Sequence, residues 1–313
     1  MATQAQPFKG HLRPDGTPDL IKIYPENGRW YGKFKEGQYP FPVDEPELER
    51  LDVLHKVYLV ARRGALHSSP LPNDHPRVLD LGCGTGIWGI EVADKYPLGV
   101  HMGVDLTSVQ PEYIPLKMKF LQWDIEDAWE DDREPSTWDL IHLRALNGSI
   151  RDWPKLYAQI FRRLQPESGY IEQVEIDYTP RCEDGSLPPD GHMARWAREV
   201  FQATDRIQRP LRLDSNLTKQ QLAAAGFVDV KEEIIQLPVN GWPRDPHGRD
   251  LGRWFNLGLR LSLEPLMLAP LNRTCGRTSE DVRDLAQKAR DEVYSNNVHA
   301  YCTLHVFTAR RPR

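Results

Sequence analysis

Three glycines in five positions, Gly82-x-Gly84-x-Gly86, follow directly on the mainly apolar run Val78-Leu79-Asp80-Leu81. A run of that kind reads as a buried parallel strand. Glycines at this spacing let the next backbone turn tightly and approach a ligand without side-chain obstruction. From Ile87 the apolar period becomes helical: Ile87, Ile90, Ala93 and Tyr96 share one face, and Pro97 is the stop. The unit is a strand, a glycine turn and a helix N-terminus.

The alternation continues downstream. Residues 100–104, 118–123, 138–143 and 169–176 read as further strands, and 155–164 as a helix. Such βα alternation implies right-handed crossovers and a doubly wound, mainly parallel α/β sheet. Upstream, 47–62 reads as a helix with a wide apolar face. Residues 179–213 break the alternation and read as a helical insertion. A capping box at Thr218 and Gln221 is expected to start a helix over 219–225, with Gly226 as its stop. A sixth strand is expected at 228–237, helices at 250–271 and 279–294, the latter capped at Thr278, and a closing strand at 301–309. The expected division is an irregular aromatic arm over 1–45 and one domain over 46–313, with helical insertions at about 179–215 and 245–297.

The 313 residues, 40% hydrophobic, suffice for a full core, and a net charge of -5 gives no general reason to bind nucleic acid or an anionic membrane. Cys83, Cys182, Cys275 and Cys302 are scattered with no Cys-x-x-Cys pair, which argues against a metal site and a disulfide framework. No run approaches the ~18 apolar residues of a membrane span, and the first twelve residues lack a signal-peptide core. The expectation is a soluble intracellular protein.

Two cofactor phrases overlap at the turn. Gly84-x-Gly86-x-x-Gly89 satisfies the dinucleotide fingerprint, with Asp105 about 20 residues on as the ribose acid. The rival phrase starts at Asp80, at the end of the strand. A carboxylate there would repel a pyrophosphate, whereas S-adenosylmethionine has no phosphate and carries an ammonium and a sulfonium. The cofactor expected is therefore S-adenosylmethionine. Its contacts are expected from Asp80, from the turn Gly82, Cys83, Gly84, Thr85 and Gly86 (the Cys83 side chain a small filler), from Asp105 and Leu106 at the ribose, and from Trp123, Asp124 and Ile125 around the adenine. Tyr31 and Tyr39 in the arm are candidates to close over it.

An acceptor should sit beyond the carboxyl ends of the strands, which nominates His142, Arg144 and Glu175, with Glu172 and Asp177 beside them. Glu172 and Glu175 have opposite parity, so only one can face the site. The transfer asks the protein mainly to align the acceptor, and a base can be absent. The fourth strand, Trp138-Asp139-Leu140-Ile141-His142-Leu143-Arg144, lacks the Asn/Asp-Pro-Pro-aromatic motif that holds a planar nitrogen.

Asp80, the glycine turn, Asp105 and Asp124 along three successive strands resemble class I S-adenosylmethionine-dependent methyltransferases. That resemblance implies a Rossmann-like, seven-stranded, mostly parallel sheet whose last strand is antiparallel. Asn27-Gly28-Arg29-Trp30-Tyr31-Gly32, Tyr39-Pro40-Phe41-Pro42-Val43-Asp44, Arg50-Leu51-Asp52-Val53-Leu54-His55-Lys56, Gly84-Thr85-Gly86-Ile87-Trp88, Trp254-Phe255-Asn256-Leu257-Gly258-Leu259 and Thr308-Ala309-Arg310-Arg311-Pro312 are similar to the fungal LaeA-type methyltransferases. The resemblance implies a regulator of secondary metabolism and development, in nucleus and cytoplasm, with a velvet-domain protein as partner. It leaves the methyl acceptor, protein or small molecule, open. A cofactor-binding scaffold for the velvet-type partner and a small-molecule O-methyltransferase of a biosynthetic pathway stand beside it. His55, on the first helix, reads as exposed apart from this resemblance.

Overall fold

The computed structural model describes residues 22–71, 74–129 and 138–313. Residues 1–21 of the arm and most of the acidic run near 130 lie outside these residues. The described part of the arm, expected to be irregular, begins with a short hairpin and continues without helix or strand to residue 44. Strands β1 (Ile23–Glu26) and β2 (Arg29–Gly32) pair antiparallel. Asn27 (φ 54°) and Gly28 (φ 78°) form their turn, the dipeptide that two-residue hairpins of this twist favour.

A seven-stranded sheet forms the centre. Its strands are β3 (Arg77–Leu81), β4 (Val100–Asp105), β5 (Met118–Gln122), β6 (Leu140–Arg144), β7 (Tyr170–Arg181), β8 (Val228–Pro238) and β9 (Tyr301–Arg310), in the order β5-β4-β3-β6-β7-β9-β8. The pairs from β5 to β7 are parallel; β9 runs antiparallel between β7 and β8. This is the Rossmann-like class I arrangement expected, with the closing strand inserted rather than added at the edge.

Helix α3 (Trp153–Arg163) starts at Asp152, whose side chain accepts from Lys155 N, and covers one face of the sheet with α5 (Ser215–Ala224). The other face carries α1 (Glu45–Ala61), α4 (His192–Arg206), α6 (Pro246–Ser262), α7 (Leu268–Cys275) and α8 (Ser279–Tyr294) in one large core. Trp196 and Phe255 lie fully buried in it. Burying side chains of that kind stabilises by roughly 1.5–3 kcal/mol each.

Two of the differences from the expected helix boundaries have a specific cause. The helix expected from Thr218 begins at Ser215, because Asp214 is the cap: its side chain accepts from Leu217 N, and Thr218 Oγ1 donates back to Asp214 O inside the first turn. The long helix expected over 250–271 is two helices, α6 and α7. Pro265, which has no N–H to continue a helical ladder, sits in the break. Gly226 (φ 102°) does end α5, and α8 carries a complete capping box between Thr278 and Asp281. Among the described residues no helix is long and apolar enough to cross a membrane.

Candidate cofactor and acceptor cleft

The sheet order reverses between β3 and β6, so the loops leaving these two strands diverge and leave a crevice at their carboxyl ends. The turn after β3 forms one wall. Gly82 N and Cys83 N donate to Val104 O, Gly84 N donates to Asp105 Oδ2 at 2.8 Å, and Gly86, at φ 80°, caps α2 (Ile87–Lys95). A Cβ at Gly82 would meet Leu146 Cδ2 at 2.4 Å, and one at Gly86 the Phe120 ring at 2.4 Å. The turn is packed to the backbone on both sides, as a glycine-only path requires.

Asp105 organises the next wall. Its Oδ1 accepts from Thr107 N (2.9 Å) and Thr107 Oγ1 (2.8 Å), and partial burial raises its pKa against those stabilising bonds. Leu106, Trp123, Asp124 and Ile125 continue the lining across β4 and β5. Asp124 is 5% exposed and accepts from Glu126 N, while Lys35 Nζ of the arm stands 3.6 Å from its Oδ2 and 2.8 Å from Asp127 Oδ1. Gln38 and Tyr39 of the same arm, and Leu51 of α1, form the roof. The free volume beneath is about 90 Å³, below the ~300–1,000 Å³ of ordinary ligand sites. Gln38 and Tyr39, in the loop between β2 and α1, are the part of the rim that the arm contributes.

Several expected contacts lie elsewhere. Asp80 is behind the turn, not on the cleft: it is 4% exposed, its Oδ1 is 2.9 Å from His142 Nδ1, and burial pushes its pKa up to about 7. Cys83, Thr85 and Gly86 do not line the cleft either. The Cys83 thiol is buried, and Thr85 Oγ1 donates to Asp52 of α1 at 2.8 Å. Tyr31 is fully buried between Tyr24 and the Arg273 guanidinium, so only Tyr39 of the two tyrosines reaches the site.

The acceptor candidates separate as well. His142 is fully buried and Glu175 is 1% exposed, bonded to the amides of Leu146 and Asn147, with its pKa pushed up to about 7 by burial. Glu172 takes Arg62 and the amides of Ser68 and Ser69, and Asp177 takes Arg181. Only Arg144 lines the cleft. His55, far from exposed, is 2% accessible and accepts from Arg144 Nη1 at 3.1 Å. Its Nε2 lies 3.1 Å from Glu91 Oε2, close but not aligned as a hydrogen bond. Gln110 was not foreseen; its amide donates to Gly84 O and Thr107 O and ties the two walls together. Nothing in the spacing around Gln110 marks it, because the contact is tertiary.

The residues present fit S-adenosylmethionine: a carboxylate for the ribose hydroxyls at Asp105, bare backbone at Gly82 and Gly84, and an aromatic and a carboxylate for the adenine at Trp123 and Asp124. Sheet topology and site together define a class I S-adenosylmethionine-dependent methyltransferase, and a methyltransferase-domain family matches residues 53–232. The chain is 46% identical to the secondary metabolism regulator LAE1 of Cochliobolus heterostrophus, over 93% of this chain and 95% of that one. It is 41% identical to the regulator laeA of Fusarium oxysporum f. sp. lycopersici (92% of each) and 41% identical to laeA of Aspergillus fumigatus (99% and 85%). It belongs to the LaeA family of secondary metabolism regulators, with S-adenosylmethionine as the cofactor of its methyltransferase domain. Among solved structures, Haemonchus contortus phosphoethanolamine N-methyltransferase 2 in complex with S-adenosyl-L-methionine aligns with a TM-score of 0.46 at 16% identity, over 85% of this chain and 52% of that one.

Proposed function

We propose that the chain transfers a methyl group from S-adenosylmethionine to an acceptor at the carboxyl ends of β3 and β6, and that this transfer is its regulatory output, exerted in the nucleus beside a velvet-type partner. Asp105 holds the ribose, Trp123, Asp124 and Ile125 the adenine, and the Gly82–Gly84 backbone the tail. The cofactor supplies an already activated methyl group. The chain's part is to align the acceptor and exclude water.

The observation that carries the reading is Asp105. It bonds the turn at Gly84 and its own loop at Thr107 while still lining the cleft. Keeping a half-buried carboxylate there costs free energy that contact with a ligand's hydroxyls offsets. The carboxylates on the lining are all engaged, Asp105 and Asp124 as above and Glu126 with Arg209. None is free to act as a general base, which favours an acceptor that needs no strong base from the protein.

The test is transfer of labelled methyl from the cofactor into cell extract, with and without a velvet-domain protein, followed by separation of protein and small-molecule fractions. Label in either fraction, lost in Asp105→Ala, supports the enzyme reading. No label in both would sink it. Regulatory output that survives in a binding-dead Asp105→Ala strain favours the scaffold, and failure to co-purify a velvet-domain protein removes that partner.

A further inference from the structure

Arg144 ends β6 with its part-buried guanidinium on the cleft wall. It forms no ion pair among the described residues. Its Nη1 donates to His55 Nδ1, and its plane lies over the Tyr58 ring, 4.7 Å from the centroid. The other guanidinium on the lining, Arg209, is different: Glu126 Oε2 neutralises it at 2.6 Å. The placement of Arg144 is fixed from two sides. Ala145 at φ 56° turns the chain away immediately after it, and His55, backed by Glu91, holds one nitrogen. Burial pulls the Arg144 pKa down, the mark of a cation short of a counter-charge. Such a group is costly to keep unless an anion joins it.

The strand order says which anion. A cofactor with its adenine at Trp123–Ile125 on the β5 side and its ribose at Asp105 on β4 runs its amino-acid tail across Gly82 and Gly84 after β3, and ends at β6. The only anionic group in S-adenosylmethionine is the carboxylate at the end of that tail.

We propose that Arg144 is the clamp for the α-carboxylate of the cofactor's methionine moiety, an inference that rests on the cleft being the cofactor site. A guanidinium presents parallel donors to a carboxylate, so it recognises the group by shape as well as by charge.

The experiment is calorimetric titration with S-adenosylmethionine and with its decarboxylated analogue, which keeps adenosine, sulfonium and amine but lacks the carboxylate. Wild-type protein is expected to bind the parent at least tenfold more tightly. Arg144→Met should lose that preference by weakening the parent while leaving the analogue unchanged, and Arg144→Lys should retain part of it. Equal affinity of the wild type for the two compounds overturns the clamp whether or not the variants fold. So does an Arg144→Met protein, folded by circular dichroism, that keeps the wild-type preference. If Arg144→Met binds the parent cofactor as tightly as the wild type and only transfer of labelled methyl into cell extract falls, Arg144 serves the acceptor instead and the clamp is likewise overturned. Failure of the wild type to bind either compound overturns the cofactor site itself, and the clamp with it.

Discussion

The indole of Trp88 lies flat on the imidazole of His142, ring centroids 3.6 Å apart and planes 9° from parallel. Trp88 Nε1 donates to Leu66 O, and His142 Nδ1 faces Asp80. The first turn of α2 is thereby fastened to β6 across β3, directly beneath the glycine turn. His142→Ala would leave Asp80 buried without its partner and open a cavity under Trp88. A loss of about 2–4 kcal/mol is expected in urea denaturation, with His142→Gln losing less because it can still donate to Asp80.

Gly86→Ala is expected to cost about 2–4 kcal/mol, from a side chain forced to φ 80° and from collision with Phe120. Adding Phe120→Leu should relieve the collision and leave the backbone cost. Denaturant midpoints of the single and double variants check the split; complete recovery would show that the left-handed backbone carries no penalty there.

Asp105→Asn exchanges one acceptor oxygen for a donor facing the amides of Gly84 and Thr107. Cofactor affinity should fall by roughly tenfold to a hundredfold, as for the loss of one or two charge-assisted hydrogen bonds. Equilibrium binding of S-adenosylhomocysteine measures it, and an unchanged Kd would take Asp105 out of the site.

His55 provides a pH signature. Burial first, then the Arg144 charge, pushes its pKa down to about 3, so it stays neutral in the folded protein while the unfolded chain takes a proton below about 6.5. Between those values the unfolded state binds the extra proton, and stability falls as pH drops, by up to ~1.4 kcal/mol per pH unit from this group alone. His55→Gln keeps an acceptor for Arg144 and removes the titration. Unfolding midpoints taken from pH 6.5 to 4 should show the variant gaining on the wild type, and parallel curves would exclude His55 as the titrating group.

Lys35 ties the arm to Asp124 and Asp127 from an accessible position. Lys35→Ala should leave the melting temperature unchanged and speed cofactor release several-fold, since exposed pairs add little to stability but can hold a cover in place. Stopped-flow displacement of bound S-adenosylhomocysteine reads the rate; an unchanged rate would mean that Gln38 and Tyr39 do not gate the cleft.

The strand pattern and glycine turn were legible because they are local: short apolar runs, glycine spacing and the β-to-α change of period. Asp105, Trp123, Asp124 and Ile125 follow from their position after a strand, and all four line the cleft. Asp80 could not be placed so simply. Its position at the strand end is readable, but its pairing with His142 is set by the neighbouring parallel strand, in the register Asp80 to His142. The same applies to His55, which is buried and whose partner Arg144 arrives from β6. The hairpin at Asn27-Gly28 was within reach of the sequence, because that dipeptide is itself a turn signal; the Pro and aromatic content around it hid the short strands.

β9 lies between β7 and β8, yet it is made after both, with the whole helical layer α6 to α8 in between. During synthesis β8 therefore leaves the ribosome with no strand to pair against, and β7 with one edge open. The sheet closes only when residues 301–310 thread into the gap. Nascent chains halted within α8 should expose both unpaired edges to chaperones, and crowded or fast translation should penalise this half of the molecule before it affects the cofactor half, whose strands pair as they emerge.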